Sequence, residues 1–106
     1  MRREEVSKAP VFAALGDETR LAIVWRLSSH GALSIARLTE GTDLTRQAIT
    51  KHLRVLEGAG LVKSTREGRE SQWELSPRKL EEARRYLDRV SAEWDARLGR
   101  LAKLVE

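Results

Sequence analysis

The chain has no cysteine, which removes disulfides, thiolate metal ligands and cysteine nucleophiles together. Prolines number two, and the aromatics are three Trp, one Tyr and one Phe. So few aromatics in a chain that is 41% hydrophobic suit helices packed on helices better than a strand-rich sandwich. No apolar run approaches the roughly 18 residues of a membrane span. The opening Met1-Arg2-Arg3-Glu4-Glu5 is charged, with no apolar stretch behind it as a secretory leader would have. A cytoplasmic protein with no membrane partner is expected. Glycine-rich phosphate loops, Ser/His/Asp sets and paired-carboxylate clefts are missing as separated motifs. The expectation is therefore no enzyme, no catalytic residue and no cofactor.

What the chain does have is charge. Of 106 residues, 20 are Lys or Arg and 16 are Asp or Glu, a net +4 in what reads as a single domain, 1–106. A total of that size says little, but its placement says more. Residues 44–66 hold Arg46, Lys51, Arg54, Lys63 and Arg66 against Glu57 alone, so the whole excess sits there. Local phosphate neutralisation is what gives a protein its non-specific affinity for DNA.

Periodicity and punctuation supply the organisation. Val6 to Leu15 is apolar-rich, with Pro10 in a first turn and Gly16 as its close. Asp17 caps a second helix that runs through Leu21, Val24, Trp25 and Leu27 to His30-Gly31. Ser34 caps a brief third helix ended by Gly41, and after a turn of about three or four residues Thr45 opens a fourth, stopped by Gly58 and Gly60. From Leu61 the period becomes two, giving a hairpin that turns at Glu67-Gly68 and returns through Trp73 and Leu75. Ser76 as cap and Pro77 as first residue start a last helix that continues to about residue 105. The fold class is mainly α with a small β-hairpin: five helices, a helix-turn-helix at the third and fourth, and the hairpin behind it.

On the fourth helix, Ile49, Leu53, Leu56, His52, Ala48 and Ala59 share a core-facing side. Gln47, Thr50, Lys51 and Arg54 lie opposite, Arg46 projects from the first turn, and no acidic residue interrupts them. Arg and Lys donate to guanine edges or phosphates, Gln pairs bidentately with adenine, and Thr meets phosphate or a thymine methyl. Their place near the helix start also turns the positive end of the dipole toward phosphate. A charged helix side is ordinarily just a solvated face, but the short helix, tight turn and hairpin that accompany this one favour DNA. The hairpin tip, Arg66-Glu67-Gly68-Arg69, adds Arg66 and Arg69, against which Glu67 and Glu70 weigh.

Three separated motifs carry a resemblance: Leu15-Gly16-Asp17-Glu18-Thr19-Arg20-Leu21, then the run Gln47 to Leu56 with its His52-Leu53 pair, then Ala59-Gly60-Leu61-Val62. Over residues 6–76 the chain resembles the ArsR/SmtB family of winged helix-turn-helix transcriptional repressors. The resemblance implies that 45–58 is the recognition helix, that 61–75 is the wing, and that the first and last helices pair two subunits. It does not extend to metal sensing. The short third helix, Ser34-Ile35-Ala36-Arg37-Leu38, has no thiol, and the last helix carries Asp88, Glu93 and Asp95 but no histidine. No metal ligand is therefore assigned. His52 is either a structural histidine or a phosphate contact or protonation switch, and His30 belongs to a surface turn.

The last helix would extend roughly 42 Å at 1.5 Å per residue, against a radius of gyration of about 13 Å for a compact domain of this size. Its ridge of Leu80, Ala83, Leu87, Val90, Trp94, Leu98, Leu101 and Val105 then overhangs the body and calls for a partner. A second copy meeting Phe12, Leu87, Val90, Trp94, Leu98 and Leu101 across a two-fold is the economical solution. A ridge folded on its own core, or a longer coiled coil, is the alternative, and Gly99 speaks weakly against the coil. The expected function is a homodimeric DNA-binding repressor on an inverted repeat, Thr45 and Arg46 positioning the helix start and the effector unknown. The competing readings are a winged-helix protein-interaction module with incidental DNA affinity, or a ligand-sensing or enzymatic accessory on the same fold.

Overall fold

The computed structural model describes residues 8–105. Among these residues the order is α1 (Ala9–Leu15), α2 (Glu18–His30), β1 (Leu33–Ser34), α3 (Ile35–Thr39), α4 (Arg46–Gly58), β2 (Val62–Glu67), β3 (Glu70–Leu75) and α5 (Pro77–Leu104). The expected start of the first helix at Val6 lies outside the described residues.

Three helix starts are set by capping side chains: Asp17, Ser34 and Thr45 accept the backbone N–H of Arg20, Arg37 and Ala48 respectively. The cap expected of Ser76 is not formed. Pro77 has removed one orphan donor already, and the Ser76 backbone is tied down instead by its N–H to the Leu61 carbonyl at 2.9 Å.

Two further expectations are corrected. The sheet has three strands, in the order β1-β3-β2, all antiparallel, so β1 adds a strand to the expected hairpin. It pairs Leu33 with Trp73 and Ser34 with Gln72, and two residues are too few to show a period. The α3–α4 connection is also longer than expected, six residues from Glu40 to Thr45, because α3 stops at Thr39, short of Gly41. Gly41 turns the chain with φ 77°, Thr42 Oγ1 donates to the Thr39 carbonyl, and the Leu44 N–H donates back to Thr42 Oγ1. At the hairpin the loop proper is Gly68-Arg69, with φ 60° at Gly68, and Glu67 pairs across to Glu70.

The core lies where α2, α3, α4 and the sheet meet. Leu53, Leu56 and Leu61 are wholly buried, with Leu38, Ile49 and Trp73 almost so. Val11 and Ala14 of α1 and Ala83 of α5 close one side. Phe12 and Tyr86 bring α1 against α5, ring centroids 5.7 Å apart and tilted by 55°.

Beyond Tyr86, α5 leaves the body and every described residue on it is exposed. The molecule therefore measures 64 × 30 × 20 Å, with a radius of gyration of 17.9 Å. No described helix is long and apolar enough to cross a membrane.

Candidate nucleic-acid interface

The site is built on α4, whose two sides are sharply different. Ile49, Leu53 and Leu56 anchor one side in the core, while Arg46, Gln47, Lys51 and Arg54 stand exposed on the other. Thr45 caps the helix with Oγ1 3.1 Å from the Ala48 nitrogen, so its hydroxyl is engaged in holding the helix start. Thr50 is half-buried and donates its hydroxyl to the Arg46 carbonyl at 2.7 Å. A shallow hollow opens between the first turns of α3 and α4, lined by Ile35, Arg46, Gln47 and Thr50. Sequence does not mark Ile35 as part of this face, because at a helix start a branched apolar residue reads simply as core.

Arg54 stands apart from its neighbours. Its guanidinium is 2.9 Å from Glu57 Oε1 and 5.3 Å from the centroid of Trp73, so it ties α4 to β3. On the wing, Arg66 and Arg69 are exposed, Arg66 Nε donating to the Gly68 carbonyl at 3.3 Å. Lys63 faces Glu74 across the strands at 3.7 Å, which leaves the tip arginines as the wing's outward cations.

Behind this surface, side chains from α2 fix the orientation of α3 and α4. Arg26 forks onto the end of α3, donating to the Leu38 and Arg37 carbonyls at 2.7 Å each. The carbonyls at a helix C-terminus lack intrahelical donors, and a cationic fork meets that need. Arg20 Nε donates to the Ala14 carbonyl at 2.6 Å, and its Nη1 lies 3.4 Å from His52 Nδ1.

Asp17 Oδ2 lies 3.8 Å from the same nitrogen. The Arg20 backbone N–H, followed by the charge of the Arg20 guanidinium, holds the Asp17 carboxyl below its ordinary value. His52 thus links α4 to the start of α2 with its ring partly covered. Neither Arg20 nor Arg26 is marked by periodicity, and their partners are remote in sequence.

The candidate dimer residues fall in two groups. Phe12 is half-buried against Tyr86 of its own chain. Leu87, Val90, Trp94, Leu98 and Leu101 are each 46–56% exposed along the overhang of α5. Among the described residues, no three His, Cys, Asp or Glu side chains gather as a metal cage would require.

A helix-turn-helix domain family matches residues 15–65, the span from the end of α1 into β2. The chain is 38% identical over 93 residues to the HTH-type transcriptional regulator Rv2034 of Mycobacterium tuberculosis, covering 88% of this chain and 83% of that one. Among solved structures it is similar to an ArsR-like transcriptional regulator from Rhodococcus sp. RHA1, with 39% identity, TM-score 0.79 and coverage of 96% and 95% of the two chains. The homodimeric winged helix-turn-helix DNA-binding domain Mb0332 of Mycobacterium bovis, a possible ArsR-family regulator, superposes with TM-score 0.67 at 25% identity, over 88% of this chain and 87% of that one. Sequence and architecture agree, and the chain belongs to the ArsR family of helix-turn-helix transcriptional regulators, DNA-binding proteins rather than enzymes.

Proposed function

We propose that this regulator acts in the cytoplasm as a homodimeric repressor that occludes a promoter by binding an inverted repeat, and that no metal controls it. The observation that carries the reading is the row of Arg46, Gln47 and Lys51, exposed side by side on a helix whose other side buries Ile49, Leu53 and Leu56 in the core. Gln47 reads a base edge, Lys51 and Arg46 meet phosphate or guanine, and Arg66 and Arg69 extend the contact from the wing. Thr45 and Thr50 position the helix, and Arg54 joins the contact after releasing Glu57.

The overhanging ridge of α5, from Leu87 to Leu101, favours a second copy, and the M. bovis neighbour is itself described as a homodimer. Two-fold pairing through α1 and α5 sets two recognition helices on one side of the duplex, with half-site centres about 34 Å apart. Control without a metal is supported by the donor set: there is no thiol, and the two histidines stand on separate helices with His52 already committed to Arg20.

Selection from a randomised duplex library tests the reading. The expected product is an inverted repeat with that spacing, bound more weakly as salt rises and unchanged by chelator. Failure to enrich any duplex, with no salt-dependent binding, would transfer the molecule to the protein-interaction class.

A further inference from the structure

We propose that the hollow between α3 and α4 seats the 5-methyl group of a thymine, with Ile35 as its floor, so that Ile35 is a specificity-determining residue. The inference rests on the reading that α4 enters the major groove.

The hollow is an apolar spot inside a polar surface. Ile35, first residue of α3, packs on the core yet keeps part of its branched side chain in the hollow, beside Arg46, Gln47 and Thr50. Thr50 adds carbon surface there, since its hydroxyl proton goes to the Arg46 carbonyl at 2.7 Å. A phosphate would find no donor on an isoleucine, whereas the thymine methyl is the one apolar group that a base pair shows in the major groove, and it is read by apolar contact. Gln47 lines the same hollow. Glutamine pairs bidentately with adenine N6 and N7. Methyl seat and amide side by side therefore suit a thymine in, or next to, the A·T pair that Gln47 reads.

The test uses the best duplex enriched from a randomised library, rebuilt with each thymine replaced singly by uracil, a change that removes the methyl and leaves the pairing intact. One uracil position per half-site should weaken the unaltered protein about three- to fivefold, the scale of one buried methyl. Ile35→Ala should bind the thymine and uracil duplexes equally, and Ile35→Val, which keeps a branched floor, should retain part of the discrimination. If Ile35→Ala does not fold, the unaltered protein and Ile35→Val still decide. Indifference of the unaltered protein to every uracil, or equal discrimination by a folded Ile35→Ala, overturns the methyl seat alone. Enrichment of no duplex at all overturns the DNA-binding reading, and the seat with it.

Discussion

Gln47 and Lys51 are neighbours on one exposed face, yet the chemistry of their side chains separates their roles. An amide reads a donor–acceptor pattern, so Gln47→Ala should relax preference at one base pair by about 1–3 kcal/mol. An ammonium on phosphate reads no sequence, so Lys51→Ala should weaken cognate and random duplexes alike and lower the salt slope by about one. Equal losses from both on every duplex, in fluorescence anisotropy, would contradict the assignment. Arg54 obeys a different constraint, because Glu57 holds it at 2.9 Å in the free protein. Exposed pairs of this kind are worth about 0.2–1 kcal/mol. Glu57→Gln should therefore tighten binding to all duplexes by a few-fold, and unchanged affinity would mean that Arg54 stays parked on Trp73. Helical period was enough to reveal the outward row, since it needs only the positions of Ile49, Leu53 and Leu56. The Arg54–Trp73 contact escaped it, because the tryptophan arrives on β3, from outside the helix altogether.

At the scale of elements, the question is what sets the angle between α3 and α4. Much of the answer lies in α2, whose Arg26 closes the end of α3 and whose Arg20 meets His52 of α4. Arg26→Met keeps the aliphatic stem and deletes the fork, leaving two carbonyls without their charged donor. Bonds to charged groups contribute about 1.5–3 kcal/mol, and a loss of roughly 1–3 kcal/mol in urea unfolding is expected, with amide exchange rising first along α3. A variant as stable as the parent would show that solvent serves those carbonyls equally well. Asp17 adds a pH dependence of known sign. Its carboxyl is held low in the folded protein, chiefly by the Arg20 amide, so its contribution is complete above the unfolded carboxylate value of about 3.9 and is lost as pH falls through the lowered folded value. Between pH 5 and 3, on the scale of that carboxylate transition, the urea midpoint of the parent should drop more steeply than that of Asp17→Asn, whose amide oxygen still caps the helix. Parallel slopes would remove Asp17 from the account. The Asp17, Ser34 and Thr45 caps were readable because a cap is local chemistry. β1 and the arginine fork were not, since each needs a partner that only folding brings near.

The whole molecule is shaped by a helix too long for its body. α5 runs 28 residues, and among the described residues nothing packs on its outer half closely enough to bury Trp94 or Leu98. Stability of the body and pairing of the overhang should therefore separate on mutation. In a double variant, Trp94→Ala with Leu98→Glu, the body keeps its Leu53–Leu56–Leu61 core and should still unfold cooperatively. The parent's melting temperature should rise with protein concentration, as mass action requires of a dimer, and that of the variant should not. Sedimentation should show the variant at monomer mass. On an inverted repeat, loss of the joined second half-site should weaken binding by about 10²-fold or more, the scale of linked recognition. On a single half-site, the two proteins should differ little. A double variant that sediments with the parent would place the two-fold elsewhere, and the spacing derived for the operator would no longer follow from α5.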